Sequence, residues 1–262
     1  MFVQIPEGTP SDYGTGLNLI LWEIVIFLLI IMLPISYANA RKQTDFKNLR
    51  YAELGQGWFG FLYGGARLLF ILALIINHGE NYDDFTNVAY LLSMIGLSIL
   101  IYTYEVYRLG RKAPVFTMIG ALSSFFTLSG FNIIPGFQDV PRELILTITS
   151  VASSILLVLI ASLYLKIMNR FPGQTRTRTG FEFYGLLLFV LSIVFDGEAM
   201  LTNPLNPYFF KMIFPGVMAI CGVAILVSAH STPKWFYMTL TIVATAVVFG
   251  LFMMHISELA GL

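Results

Sequence analysis

The stretch RLLFILALIINHGE, residues 67–80, sets an arginine at the head of unbroken hydrocarbon that stops at His-Gly-Glu. A second run, LLLFVLSIVFDGE at residues 186–198, ends the same way. At 1.5 Å per residue, about 20 apolar residues cross the roughly 30 Å hydrocarbon core of a bilayer. Around these two runs the pattern recurs along the whole chain. Of 262 residues, 57% are hydrophobic and 11% are charged, against roughly 25% charged in a soluble domain. So little charge cannot keep so much apolar surface in water. The chain reads as an all-α polytopic membrane helix bundle.

Eight transmembrane helices are expected, over about 17–40, 57–77, 86–107, 114–134, 143–167, 181–200, 209–230 and 235–255. The segments between them leave no room for a soluble domain. Residues 1–16 lack the basic region of a secretory signal and no small-residue cleavage pattern follows, so the first span is expected to remain as a helix. Lysine and arginine collect on the cytoplasmic side of short loops. With the amino terminus outside, the inner loops hold Arg41, Lys42, Lys47, Arg50, Arg108, Arg111, Lys112, Lys166, Arg170, Arg176, Arg178 and Lys234. The outer segments hold only Arg142 and Lys211. That bias predicts both termini outside. The net charge is zero, yet the acids lean outward, with Glu80, Asp83, Asp84, Asp139, Glu143, Asp196, Glu198 and Glu258 on the outer side.

The shared Gly-Glu ending belongs to a longer correspondence. Residues 17–41 and 144–170 each open on Leu-Ile-Leu and close on a basic turn. GQGWFGFLYGGARLLFILALIINHGE (55–80) matches GQTRTRTGFEFYGLLLFVLSIVFDGE (173–198). MIGLSIL (94–100) pairs with ICGVAIL (220–226), and PVFTM (114–118) with PKWFYM (233–238). Four matches in one order predict two tandem four-helix repeats, residues 17–138 and 139–262, after an extracytoplasmic segment at 1–16. An even number of spans per copy keeps both copies the same way up, which implies a pseudo-twofold axis along the membrane normal.

Ionisable residues inside such a bundle are costly and mark candidate sites. Arg67 falls mid-span, and Glu23 in the first span is its expected partner. Glu80, Asp83, Asp84, Asp196 and Glu198 gather at the outer level, where they would form an acidic vestibule for an ion or substrate. Glu105 lies near the inner end of the third span, beside Tyr104, Tyr107 and Arg108. Pro34 and Pro215 are expected to kink spans one and seven. Gly64, Gly65 and the run GALSS at 120–124 are expected to let helices approach closely.

Several chemistries are disfavoured. His78, His230 and His255 all fall near span ends, which argues against haem held between membrane histidines. No lysine sits mid-helix in the last spans, which argues against retinal. No HExxH, GxSxG, CxxC or phosphate-loop pattern occurs, so an enzyme is not indicated, and the lone Cys221 reads as packing. The cofactor is otherwise unknown, and no feature suggests nucleic acid. The layout is similar to membrane subunits of some quinone-linked oxidoreductases, as architecture alone. The first functional reading is a small-solute or ion transporter or conducting protein of the cell membrane. The alternative is a non-catalytic subunit or assembly partner of a larger membrane complex, contacting quinone or lipid. Expected partners are the lipid bilayer, with a membrane protein or a second copy of the chain.

Overall fold

The computed structural model describes residues 12–43, 47–75, 80–129, 141–195 and 213–260. They form eight helices and, among the described residues, no strand. These are α1 (Asp12–Lys42), α2 (Lys47–Ile75), α3 (Glu80–Tyr102), α4 (Val115–Ser129), α5 (Arg142–Arg170), α6 (Gln174–Phe195), α7 (Phe214–Ser231) and α8 (Lys234–Ala260). Each corresponds to one of the eight expected spans. Five of them, α1, α3, α5, α7 and α8, carry segments long and apolar enough to cross a membrane. The 15 described residues of α4 extend about 22 Å at helical rise.

Contacts divide the chain into two compact units, Leu29–Arg176 and residues 1–28 with 177–262. Within Leu29–Arg176, the glycines of GQGWFG bring α2 against the second half of α1. A methyl group at Gly57 would stand 2.8 Å from Ser36 Cβ, and one at Gly60 would stand 2.7 Å from the Leu29 carbonyl. Only a bare backbone permits that approach. The GALSS run behaves as the sequence suggests: Gly120 packs on Ser98, and the Ser98 and Ser124 hydroxyls lie 3.2 Å apart across α3 and α4. Gly65 instead meets its nearest neighbour, Leu92, at an ordinary 3.9 Å.

Two apolar environments are written into one helix in α5. Leu156, Ile160, Leu163, Tyr164 and Ile167 are buried, whereas Ile148, Val151, Ile155 and Val158 are exposed. Both sets repeat at helical spacing, so one stripe packs on protein while the other, equally greasy, faces outward. A soluble helix would have made the outward stripe polar.

In the other unit, α6 and α7 cross backbone to backbone. A methyl at Gly185 would lie 2.6 Å from the Gly222 carbonyl, and one at Gly222 would lie 2.6 Å from the Gly185 carbonyl. Around this crossing Leu188, Phe214, Met218, Ile225 and Ala244 form a core, with Cys221 packed against it. Pro215 corrects the expectation of a kink: α7 begins at Phe214, so the proline occupies the first turn, where its missing N–H has no carbonyl to meet. Pro34, by contrast, lies inside α1, which continues through it to Lys42.

Candidate functional site

Arg67 lies two-thirds of the way along α2 and is 8% exposed. Helical spacing sets Tyr63 and Phe70 beside it: the Tyr63 hydroxyl hydrogen-bonds to its guanidinium, and the guanidinium carbon lies 5.9 Å from the Phe70 ring centre. The ring in turn meets Tyr90 of α3 edge-on at 5.1 Å. A charge thus sits inside a collar of aromatic groups. Glu23, its expected partner, is an exposed residue of α1.

The outer acids divide. Glu80, Asp83 and Asp84 lie in the first turns of α3, and their side chains fall outside what is described. Asp196 and Glu198 lie outside the described residues altogether.

Glu105 has a clear local role. After Tyr102 the helix widens into a π-helical turn over Thr103–Arg108. Three consecutive residues, Thr103, Tyr104 and Glu105, are consequently buried in different directions. Thr103 faces Gly55 of α2, and Tyr104 faces both α2 and α5. The Glu105 carboxylate points to the start of α4, where Oε2 accepts the Thr117 N–H at 2.9 Å and the Thr117 hydroxyl at 3.0 Å. Its Oε1 accepts the Phe116 N–H at 3.3 Å and Arg111 Nη1 at 3.2 Å. A helix N-terminus leaves donors unpaired and carries partial positive charge, so a carboxylate there is strongly favoured. Gly110, with a φ of 66°, makes the reversal between the two helices possible by entering the left-handed region that side chains disfavour.

Two further polar clusters were not legible as sites. Gln56 of α2 donates its amide to the Tyr104 hydroxyl, which donates to the Tyr164 hydroxyl at 2.7 Å, so three helices share one buried chain. Nearby, Glu53 meets Arg108 at 3.6 Å. In the second unit, Arg178 donates to Glu182 at 2.9 Å and contacts His230 Nδ1, while His230 Nε2 faces Glu182 at 3.7 Å. Arginine can only donate, so Nδ1 is the acceptor side of that contact. Glu53 and Glu182 were not singled out in the sequence, and His230 was placed only near a span end. The one available signal was the four-residue spacing of Arg178 and Glu182, which puts both on one helix face.

Among the described residues no group of three or more His, Cys, Asp or Glu side chains stands close enough to hold a metal ion. Comparison with known protein families, characterised proteins and solved structures finds no match.

Proposed function

We propose that the chain is a multi-pass protein of the cell membrane that carries or conducts a small solute or ion. Arg67 is its central binding group, and the acids Glu80, Asp83 and Asp84 stand at its outer mouth. The observation that carries this reading is the burial of Arg67 within the apolar second half of α2. A guanidinium there costs a few kilocalories per mole on insertion, about 2.5–3.5 kcal/mol at mid-bilayer, and nothing in helix packing alone requires so costly a residue. Its planar donors suit an anion, or an anionic group on a larger solute.

The tandem duplication belongs to the same proposal, with two upright four-helix copies about an axis normal to the membrane. Support comes from the third helix of each copy. In the register that aligns Gly96 with Gly222, Tyr104 falls on His230. Both are buried, and each is contacted by a side chain of the preceding helix, Gln56 in one case and Arg178 in the other. A buried polar joint at the same register position of the third helix supports the duplication, although the side chains that reach it, Gln56 and Arg178, do not align with each other.

The test is flux through the purified chain in liposomes, with chloride followed by electrode and protons by an internal pH dye. Flux above empty liposomes that disappears in Arg67→Leu, at unchanged expression and gel-filtration profile, is the expected result. Identical flux in the variant removes Arg67 from the mechanism. The alternative, a subunit of a larger complex, draws on α8, whose apolar segment is only 11% buried. A stoichiometric protein co-purifying from native membrane would favour it.

A further inference from the structure

We propose that the turn joining α3 to α4, together with the C-terminal end of α5, binds the headgroup of an anionic phospholipid. The inference needs only that the chain lies in a membrane, and it is independent of transport. Arg111 and Lys166 both attend one ring: the guanidinium carbon of Arg111 lies 5.2 Å from the centre of Phe116, and Lys166 Nζ lies 5.4 Å from it. Lys112 follows Arg111 on the exposed side of the turn. Arg170, one turn beyond Lys166, donates to the Leu109 carbonyl at 2.6 Å, which ties the end of α5 to the same turn.

Like charges gathered around one ring repel, and an anion placed among them relieves that repulsion. Among the described acids, only Glu105 supplies one, and to Arg111 alone. Glu105 is wholly buried and engaged with α4 and Arg111, while Glu53 is buried against Arg108. Among the described residues, neither Lys112 nor Lys166 makes an ion pair. The turn is also held rigid by the Glu105 hydrogen bonds and by Arg170, so the cations are presented on a fixed frame rather than on a loose loop.

What lies beside the cations identifies the occupant. Val115, Met118 and Leu122 of α4 are exposed at helical spacing, as are Val158 and Leu165 of α5, and α4 and α5 pack on each other. An apolar strip therefore runs away from the cationic cluster. A free phosphate would use the cations alone, whereas a phospholipid uses both, its phosphate at the turn and its acyl chains along α4 and α5. Basic sites at the ends of membrane helices bind anionic headgroups by this combination.

The test is native mass spectrometry of the full chain in detergent, titrated with dioleoyl phosphatidylglycerol, dioleoyl phosphatidylcholine or inorganic phosphate. Phosphatidylglycerol is expected to bind more tightly than phosphatidylcholine. Each exposed lysine near a charged headgroup is worth about fivefold in affinity, so Lys166→Gln should lose about fivefold, and Lys112→Gln with Lys166→Gln about 25-fold. The matched charge removal Lys42→Gln with Lys47→Gln should leave binding nearly unchanged. Equal affinity for the two lipids, equal loss in the matched control, or no loss at Lys166 would each overturn the proposal. So would inorganic phosphate displacing the lipid at equal concentration, which would assign the site to a free anion. Both lysines are exposed, and the single variant keeps the test decisive should the double variant fail to fold.

Discussion

Tyr104 and Tyr164 lie ring to ring at 4.5 Å and share a hydroxyl hydrogen bond of 2.7 Å, joining the π turn after α3 to the buried stripe of α5. Both side chains are almost wholly buried, and Gln56 of α2 donates into the same hydroxyl chain. Tyr164→Phe keeps the ring and removes the acceptor of the Tyr104 proton. Stranding a buried donor costs about 1–3 kcal/mol, more than an average hydrogen bond contributes. The variant should melt several degrees lower in detergent. Tyr104→Phe should cost more, since it also removes the group that receives the Gln56 amide. Additive losses in the double variant would show that the chain is not one network.

Glu105 supports the start of α4, and charge is only part of that role. Glu105→Gln keeps oxygen to accept from Thr117, while Glu105→Ala leaves the Phe116 and Thr117 N–H groups with no carboxylate. A lost cap and a lost charge-assisted bond together predict about 2–4 kcal/mol of destabilisation for alanine and roughly half of that for glutamine. Limited proteolysis between Arg108 and Pro114 reads the local effect. Cleavage should rise in the order wild type, glutamine, alanine, and equal cleavage in all three would remove Glu105 from the role.

In the second unit Glu182 stands between Arg178 and His230 and is 1% exposed. Removing the carboxylate leaves two donors facing each other across the gap it filled. Breaking a buried pair costs about 3–5 kcal/mol. Arg178 is partly exposed and can turn toward water, so Glu182→Ala should fall near the lower end, roughly 3 kcal/mol. Thermal unfolding followed by tryptophan fluorescence measures this. A second change, His230→Phe, should return part of the loss by removing a group that the vacated site no longer satisfies.

The membrane character and the eight helices were legible because hydrocarbon must be long enough to cross a bilayer, and length is read directly from the sequence. The π turn was not. It adds one residue to a helix and leaves no mark in hydropathy, yet it turns Glu105 toward α4 and so decides what that carboxylate touches. Pro215 was misread for a related reason: where a span begins depends on packing, and a few residues of shift turn a kink into a first-turn proline. Glu53 and Glu182 were not singled out, and His230 was placed only near a span end, because burial at a helix end depends on which neighbour covers it. Arg67 was legible, since an arginine deep in an apolar run has no interfacial explanation. Its setting among Tyr63 and Phe70 follows from helical spacing, whereas the contact with Tyr90 comes from another helix.

The crossing of α6 and α7 gives the sharpest contrast between two substitutions of the same kind. At Gly222 an added methyl meets the Gly185 carbonyl and the Phe189 nitrogen, both at 2.6 Å. These are backbone atoms of a neighbouring helix, so no rotamer change makes room and the two axes must separate. At Gly250 of α8 an added methyl meets nothing within 4 Å. Overpacking typically costs about 1–3 kcal/mol, while alanine is favoured over glycine in an unobstructed helix by up to about 1 kcal/mol. Gly222→Ala should therefore lower the melting temperature, and Gly250→Ala should hold or raise it. If both shifts shared a sign, helix propensity rather than backbone contact would govern the pair, and the close crossing of α6 and α7 would lose its support.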